Sequence, residues 1–208
     1  MKNNINQITS IHYITGSILL AFYGARVCPF LETLTILQLS APIIIGFLLA
    51  LLFRINIQKT ISKLPLQKQI KSQFITEISI FIFVGSALAV FNTLYYKFPI
   101  ESGMKVLFGT LLLGVFIGID QVLMRERIIM NELIKKGKNI HVENNYLSIP
   151  SKFIFMSVLM IGSIATVLIM VISKDLDWYH EHGMQLEFMQ AKLSILGEIT
   201  FIILIINF

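Results

Sequence analysis

Long apolar runs separated by short polar segments dominate this chain. A helix needs about 20 mostly apolar residues to cross hydrocarbon, because an unsatisfied backbone group there costs several kcal/mol. Six runs are candidate spans: about 11–27, 34–53, 74–96, 104–124, 153–173 and 193–208. They lack the period-2 alternation of barrel strands. The expected fold is therefore all-α, a polytopic transmembrane bundle of six helices forming a single domain over residues 1–208. The connections are too short to fold as soluble domains. No internal repeat is visible, so the inverted-repeat plan of many transporters has no support.

Charge placement predicts orientation. With the N-terminus inside, twelve of the 17 Lys and Arg fall on the cytoplasmic side, including Arg54, Lys59, Lys63, Lys68, Lys71, Arg125 and Arg127. The positive-inside rule then favours N-in, and six spans return the C-terminus to the cytoplasm. Only Lys2 precedes the first apolar core, and no small-x-small cleavage site follows it, so that core reads as a retained helix. The last run is short and lacks a basic stop. Two readings follow: a short, complete last helix with its carboxylate at the interface, or, as favoured here, a polypeptide continuing past Phe208 into a cytoplasmic part.

Composition narrows the class. Hydrophobic residues make up 55% and charged residues 14% of the chain, at a mean hydropathy of +0.77. Soluble domains carry about 25% charge. A soluble enzyme, a nucleic-acid module and a disordered tail are excluded, and a bacterial inner membrane is the expected location. Abundant Ile, Asn and Lys accord with an AT-rich bacterial genome. The net charge of +5 reflects topology rather than an acidic partner. The one cysteine, Cys28, cannot form an internal disulfide. There is no P-loop, HExxH, GxSxG or haem-suited His pair, so the sequence nominates no catalytic residue, cofactor or metal site.

Charges inside spans are costly and each needs a reason. Glu198 is the deepest, five residues into the last run. It reads either as a protonated interfacial carboxyl or as a ligand-coupled group. Asp120 lies near Arg125 and Arg127, and an Asp120–Arg125 pair at the membrane edge is expected. Glu77 is expected to bridge to the Lys68–Lys71 cluster. Arg26 and Glu32 flank Cys28-Pro29 in a structural turn. Asp175, Asp177, Trp178, Tyr179, His180, Glu181 and His182 form the densest polar cluster. It reads as an interface anchor or as an outside-facing sensing loop for pH or a divalent cation. His180 and His182 are too closely spaced to share a helix face. Gly114 and Gly118 give GxxxG spacing, which favours close packing within the molecule and allows a homodimer. Pro42 should kink the second span. The basic segments 55–70 and 125–138 should lie at the interface and attract anionic membrane lipids.

Several stretches carry a family likeness: Lys105-Val-Leu-Phe-Gly-Thr-Leu-Leu-Leu-Gly-Val-Phe, then Asp120 and Arg125-Glu126-Arg127, then Ile149-Pro-Ser-Lys-Phe, then Val171-Ile-Ser-Lys-Asp-Leu-Asp-Trp178. The region resembles the N-terminal membrane module of bacterial HAMP-containing signalling proteins. The resemblance implies a membrane sensor and anchor feeding a fused or separate cytoplasmic output, an adenylate or guanylate cyclase or a histidine kinase. It carries over no catalytic residue. The rival reading is a small transporter or channel subunit with Glu198 and Asp120 on a polar path. The low polar density of the spans favours the sensor.

Overall fold

Capping and chain-breaking residues cut the apolar runs into helices. The computed structural model describes residues 2–135 and 149–182, and every element among them is helical. In order these are α1 Lys2–Val27, α2 Pro29–Glu32, α3 Ile36–Ile61, α4 Leu66–Tyr95, α5 Ile100–Lys135 and α6 Ile149–His182. Pro29 opens the single turn of α2 after the extended residue Cys28. Thr35 caps α3 in a reciprocal capping box with Gln38. Pro65 forces a break after the Ser62–Leu64 turn. Between α4 and α5, Lys97 takes a left-handed backbone, φ 56°, and the Phe98 N–H reaches back to the Asn92 carbonyl at 3.3 Å.

The chain divides into two units, Met1–His141 and Val142–Phe208. In the first, four helices are long and apolar enough to cross a membrane: Asn6–Val27, Ile36–Ile61, Lys68–Tyr95 and Ile100–Asn131. They alternate in direction, with α1 packed on α3 and α5, and α4 packed on α3 and α5. This is a multi-pass membrane protein. In the second unit, α6 contains a shorter apolar stretch, Met156–Val171. Six spans were expected. Four are long apolar helices, the fifth falls within α6, and the sixth, 193–208, lies outside the described residues.

The expected boundaries differ from the observed ones in one systematic way. The helices run past the ends of the apolar runs. The segment 55–70 consists of the ends of α3 and α4 with a tight turn between them. Likewise α5 continues without interruption through Arg125 and Arg127 to Lys135. Polar caps end a helix, whereas a lipid boundary does not.

Two ends of the bundle differ in chemistry. One end gathers aromatic rings: Phe91 stacks on Tyr95 at 5.1 Å, Tyr96 on Phe98 at 5.5 Å, and Phe30 meets Phe98 at 5.6 Å. The other end holds exposed Lys59, Lys63, Lys68 and Lys71. Pro42 sits inside α3 and lacks an N–H, so the Gln38 carbonyl is released from the helix ladder. The Tyr96 hydroxyl donates to it at 3.1 Å, fastening α3 to the end of α4.

Gly114 and Gly118 face α4, so the GxxxG spacing serves packing within the unit. A methyl group at Gly114 would meet Phe81 Cβ at 2.5 Å, and one at Gly118 would meet Phe74 at 3.2 Å. Overpacking of this kind costs about 1–3 kcal/mol. Gly114→Ala should therefore lower the midpoint of thermal unfolding in lipid nanodiscs. Gly162→Ala, where an added methyl meets nothing within 4 Å, should leave it within error.

Candidate functional site

Regular spacing places polar side chains on the inward faces at the basic end. Arg54 and Gln58 on α3 and Ser62 at its C-cap recur every fourth residue, as do Gln69, Gln73 and Glu77 on α4 and Gln121 and Arg125 on α5. Residues four apart share a helix face. Apart from Ser62, which is exposed, all of these are buried.

The centre is an ion pair between Arg54 Nε and Glu77 Oε1. Both side chains are essentially inaccessible, at 1% and 0% exposure. Glu77 Oε1 also accepts from Gln73 Nε2 at 3.3 Å, and Glu77 Oε2 accepts from the Tyr13 hydroxyl at 2.8 Å. One carboxylate thus takes donors from α1, α3 and α4. Burying a carboxylate is tolerable only when it is paired and hydrogen-bonded in this way. Tyr13 also packs against Phe81 at 5.2 Å, so the ring that carries the donor is fixed by the apolar core.

A second chain of bonds joins α1 to α5. Thr9 Oγ1 donates to Gln121 Oε1 at 3.2 Å, Gln121 Nε2 meets His12 Nδ1 at 3.3 Å, and His12 Nε2 meets Asp120 Oδ2 at 3.1 Å. A third contact ties α5 to the α3–α4 turn, from Arg125 Nη2 to Ser62 Oγ at 3.4 Å. Gln69 Nε2 closes that turn on the carbonyls of Ser62, at 3.4 Å, and Leu64, at 2.7 Å.

Depth follows from helix rise. About 27 Å of helix separates Tyr95 from Glu77, and about 30 Å separates Ile100 from Asp120. A hydrocarbon core is about 30 Å thick. The aromatic end and the polar layer thus stand about one hydrocarbon thickness apart.

At the aromatic end, α2 closes a narrow, mostly apolar cavity. Gly24, Leu31, Leu39 and Pro42 line it, with Asn92 and Gln38 as its polar groups. Beside it the Cys28 thiol lies 2.8 Å from the Ser102 hydroxyl, and both are buried. Among the described residues no cluster of three or more His, Cys, Asp or Glu could hold a metal ion.

The residues expected from sequence fare differently. Asp120 pairs with His12, not with Arg125, because α1 brings an imidazole to its face of α5. Glu77 pairs with Arg54, not with the exposed Lys68–Lys71 cluster, because its position faces α3 inside the bundle. Asp175, Asp177, His180, Glu181 and His182 lie on α6, which remains helical to His182 where a loop was expected. Positions 180 and 182 fall on different faces of a helix. Glu198 lies outside the described residues. Sequence reasoning passed over His12, Tyr13, Gln58, Gln73 and Gln121. For Gln58, Gln73 and Gln121 the available signal was the four-residue recurrence of polar types on α3, α4 and α5.

Comparison with known proteins adds an identity of class. The MASE10 family model matches residues 12–201. A cyclic di-GMP phosphodiesterase of Vibrio cholerae serotype O1 is 30% identical over 210 residues. That alignment covers 100% of this chain but 42% of the relative, so the chain spans less than half the relative's length. No solved structure matches.

The two bonded clusters should differ in weight. Tyr13→Phe strips Glu77 of a buried donor and should cost about 1–3 kcal/mol. Asp120→Asn, at a side chain 56% exposed, should cost less than about 1 kcal/mol. Thermal unfolding of both variants in nanodiscs checks the ranking.

Proposed function

The chain belongs to the MASE10 family of membrane-associated sensory domains, and on that premise we propose that it senses a cue at the bacterial inner membrane and relays it to a cytoplasmic output acting on cyclic di-GMP. The observation that carries this reading is the match to the Vibrio phosphodiesterase along the whole chain. It favours cyclic di-GMP hydrolysis over the cyclase or kinase output, and over the HAMP linker, that the likeness to other signalling modules implied. The catalytic groups belong to that output and not to the four-helix unit.

The proposed orientation is N-in. The basic ends of α3, α4 and α5 then face the cytoplasm, and the aromatic end with its α2 cap faces outward. In this orientation the polar layer stands at the inner hydrocarbon boundary, next to the output. The cluster from Asp175 to His182 on α6 is then an outward sensing surface, and the exposed lysines of the α3–α4 turn meet anionic headgroups. Any cue must bind two states of the bundle with different affinity to shift the output. The network joining α1, α3 and α4 through Glu77 is the proposed element with two arrangements. A homodimer would let two outputs respond together.

Two measurements test this. The buried native thiol Cys28 gives little background, so single cysteines can report topology. Lys63→Cys should react with a membrane-impermeant maleimide only after the inner face is opened, and Thr33→Cys should react in intact cells. The opposite pattern overturns N-in. Expression of the native gene product should lower cellular cyclic di-GMP. Nucleotide levels unchanged by expression, and equally unchanged by Glu77→Gln, would overturn the proposed output.

A further inference from the structure

Three buried polar atoms between α3 and α4 are left over by the network around Glu77. Arg54 Nη2, Gln58 Oε1 and Gln73 Oε1 are shielded from solvent and have no hydrogen-bond partner. A bare buried polar atom is costly, and more so when charged. The helix register brings the three together. Arg54 and Gln58 are one turn apart on α3, and Gln73 and Glu77 are one turn apart on α4. The pair Arg54–Glu77 is bonded, and so is the pair Ser62–Gln69 one step further along. Gln58 and Gln73 therefore face each other between two bonded rungs. Both are at least nine-tenths buried, at 4% and 1% exposure.

We infer that the α3–α4 interface contains a buried water-binding site formed by Arg54 Nη2, Gln58 Oε1 and Gln73 Oε1. Hydrogen-bond valence selects the guest. It must accept from a guanidinium N–H and donate to two carboxamide oxygens. A single water molecule does all three, and buried waters commonly have two to four such partners. A metal cation would meet the carboxamide oxygens but be repelled by Arg54. An anion would meet Arg54 but be repelled by both oxygens and by the Glu77 carboxylate. An apolar guest would satisfy none of the three.

The site lies one rung from the exposed Ser62 and Lys63 of the α3–α4 turn, which gives water a short route in. It also changes the character of the ion pair. With water on its free edge, the Arg54 guanidinium is not stripped of all hydration. The two helices can then shift relative to each other without leaving a charge bare.

Water-edited solid-state NMR on the full chain in phosphatidylcholine–phosphatidylglycerol bilayers tests this, with water itself as the probe. Magnetisation should reach the Arg54 Nη and Gln73 side-chain nitrogens as fast as it reaches the exposed Lys63. It should not reach the buried Val84, further along α4. In the Gln58→Leu/Gln73→Leu variant, which removes both acceptors, the transfer to Arg54 Nη should be lost. Build-up at Arg54 and Gln73 as slow as at Val84 in the unaltered protein overturns the site. Unchanged transfer to Arg54 in the variant overturns the assignment of its ligands. Should the variant not fold, the comparison of Arg54 with Lys63 and Val84 in the unaltered protein decides alone.

Discussion

A guanidinium and a carboxylate cannot each be buried alone beside hydrocarbon, and this constraint organises the four-helix unit. Separately, either ion would face a desolvation cost of several kcal/mol. Together, Arg54 and Glu77 lock α3 and α4 into one register. The same register closes the turn below through Gln69 and Ser62. Tyr13 adds α1 to that lock, and its ring is held by Phe81 and Phe47 in the apolar core above. Polar satisfaction and apolar packing thus meet on one side chain.

The helices are also longer than a bilayer crossing requires. About 36 residues of α5 extend over about 54 Å, well beyond a hydrocarbon core of about 30 Å. At the basic end, where α5 runs alongside the ends of α3 and α4, glutamine and arginine line the core. A core held by directional bonds has discrete alternatives, whereas lipid-facing apolar packing shifts gradually. That is why the proposed relay is placed at this end, between the membrane and the proposed output.

Much of the fold was legible in the chain. The four long spans stand out because lipid demands unbroken apolar runs, and the first four expected runs each fall within an observed helix or overlap it closely. The helix ends were not legible from hydropathy. The extra turns of α3, α4 and α5 are polar on one side and covered by neighbours, and hydropathy averages over faces. The site was harder still. Glu77 and Asp120 were visible as charges in or near spans, but their partners Arg54 and His12 are distant in sequence, and only the packing of α3 and α1 brings them in. From neighbouring residues alone, both therefore read as partners of nearby bases. The recurrence at Arg54, Gln58, Ser62 and at Gln69, Gln73, Glu77 carried the missing information, since two such ladders on consecutive antiparallel helices can be aligned only one way with both charges paired.

The central claim is that Arg54 and Glu77 stabilise the bundle as a unit rather than as two independent side chains. A double-mutant cycle measures this directly, using thermal and chemical unfolding in nanodiscs of the Arg54→Met and Glu77→Leu variants, singly and together. Each single change leaves one buried ion unpaired and should cost about 3–5 kcal/mol, whereas the double change should cost less than either. Costs that simply add would contradict the account, because they would mean that neither charge depends on the other.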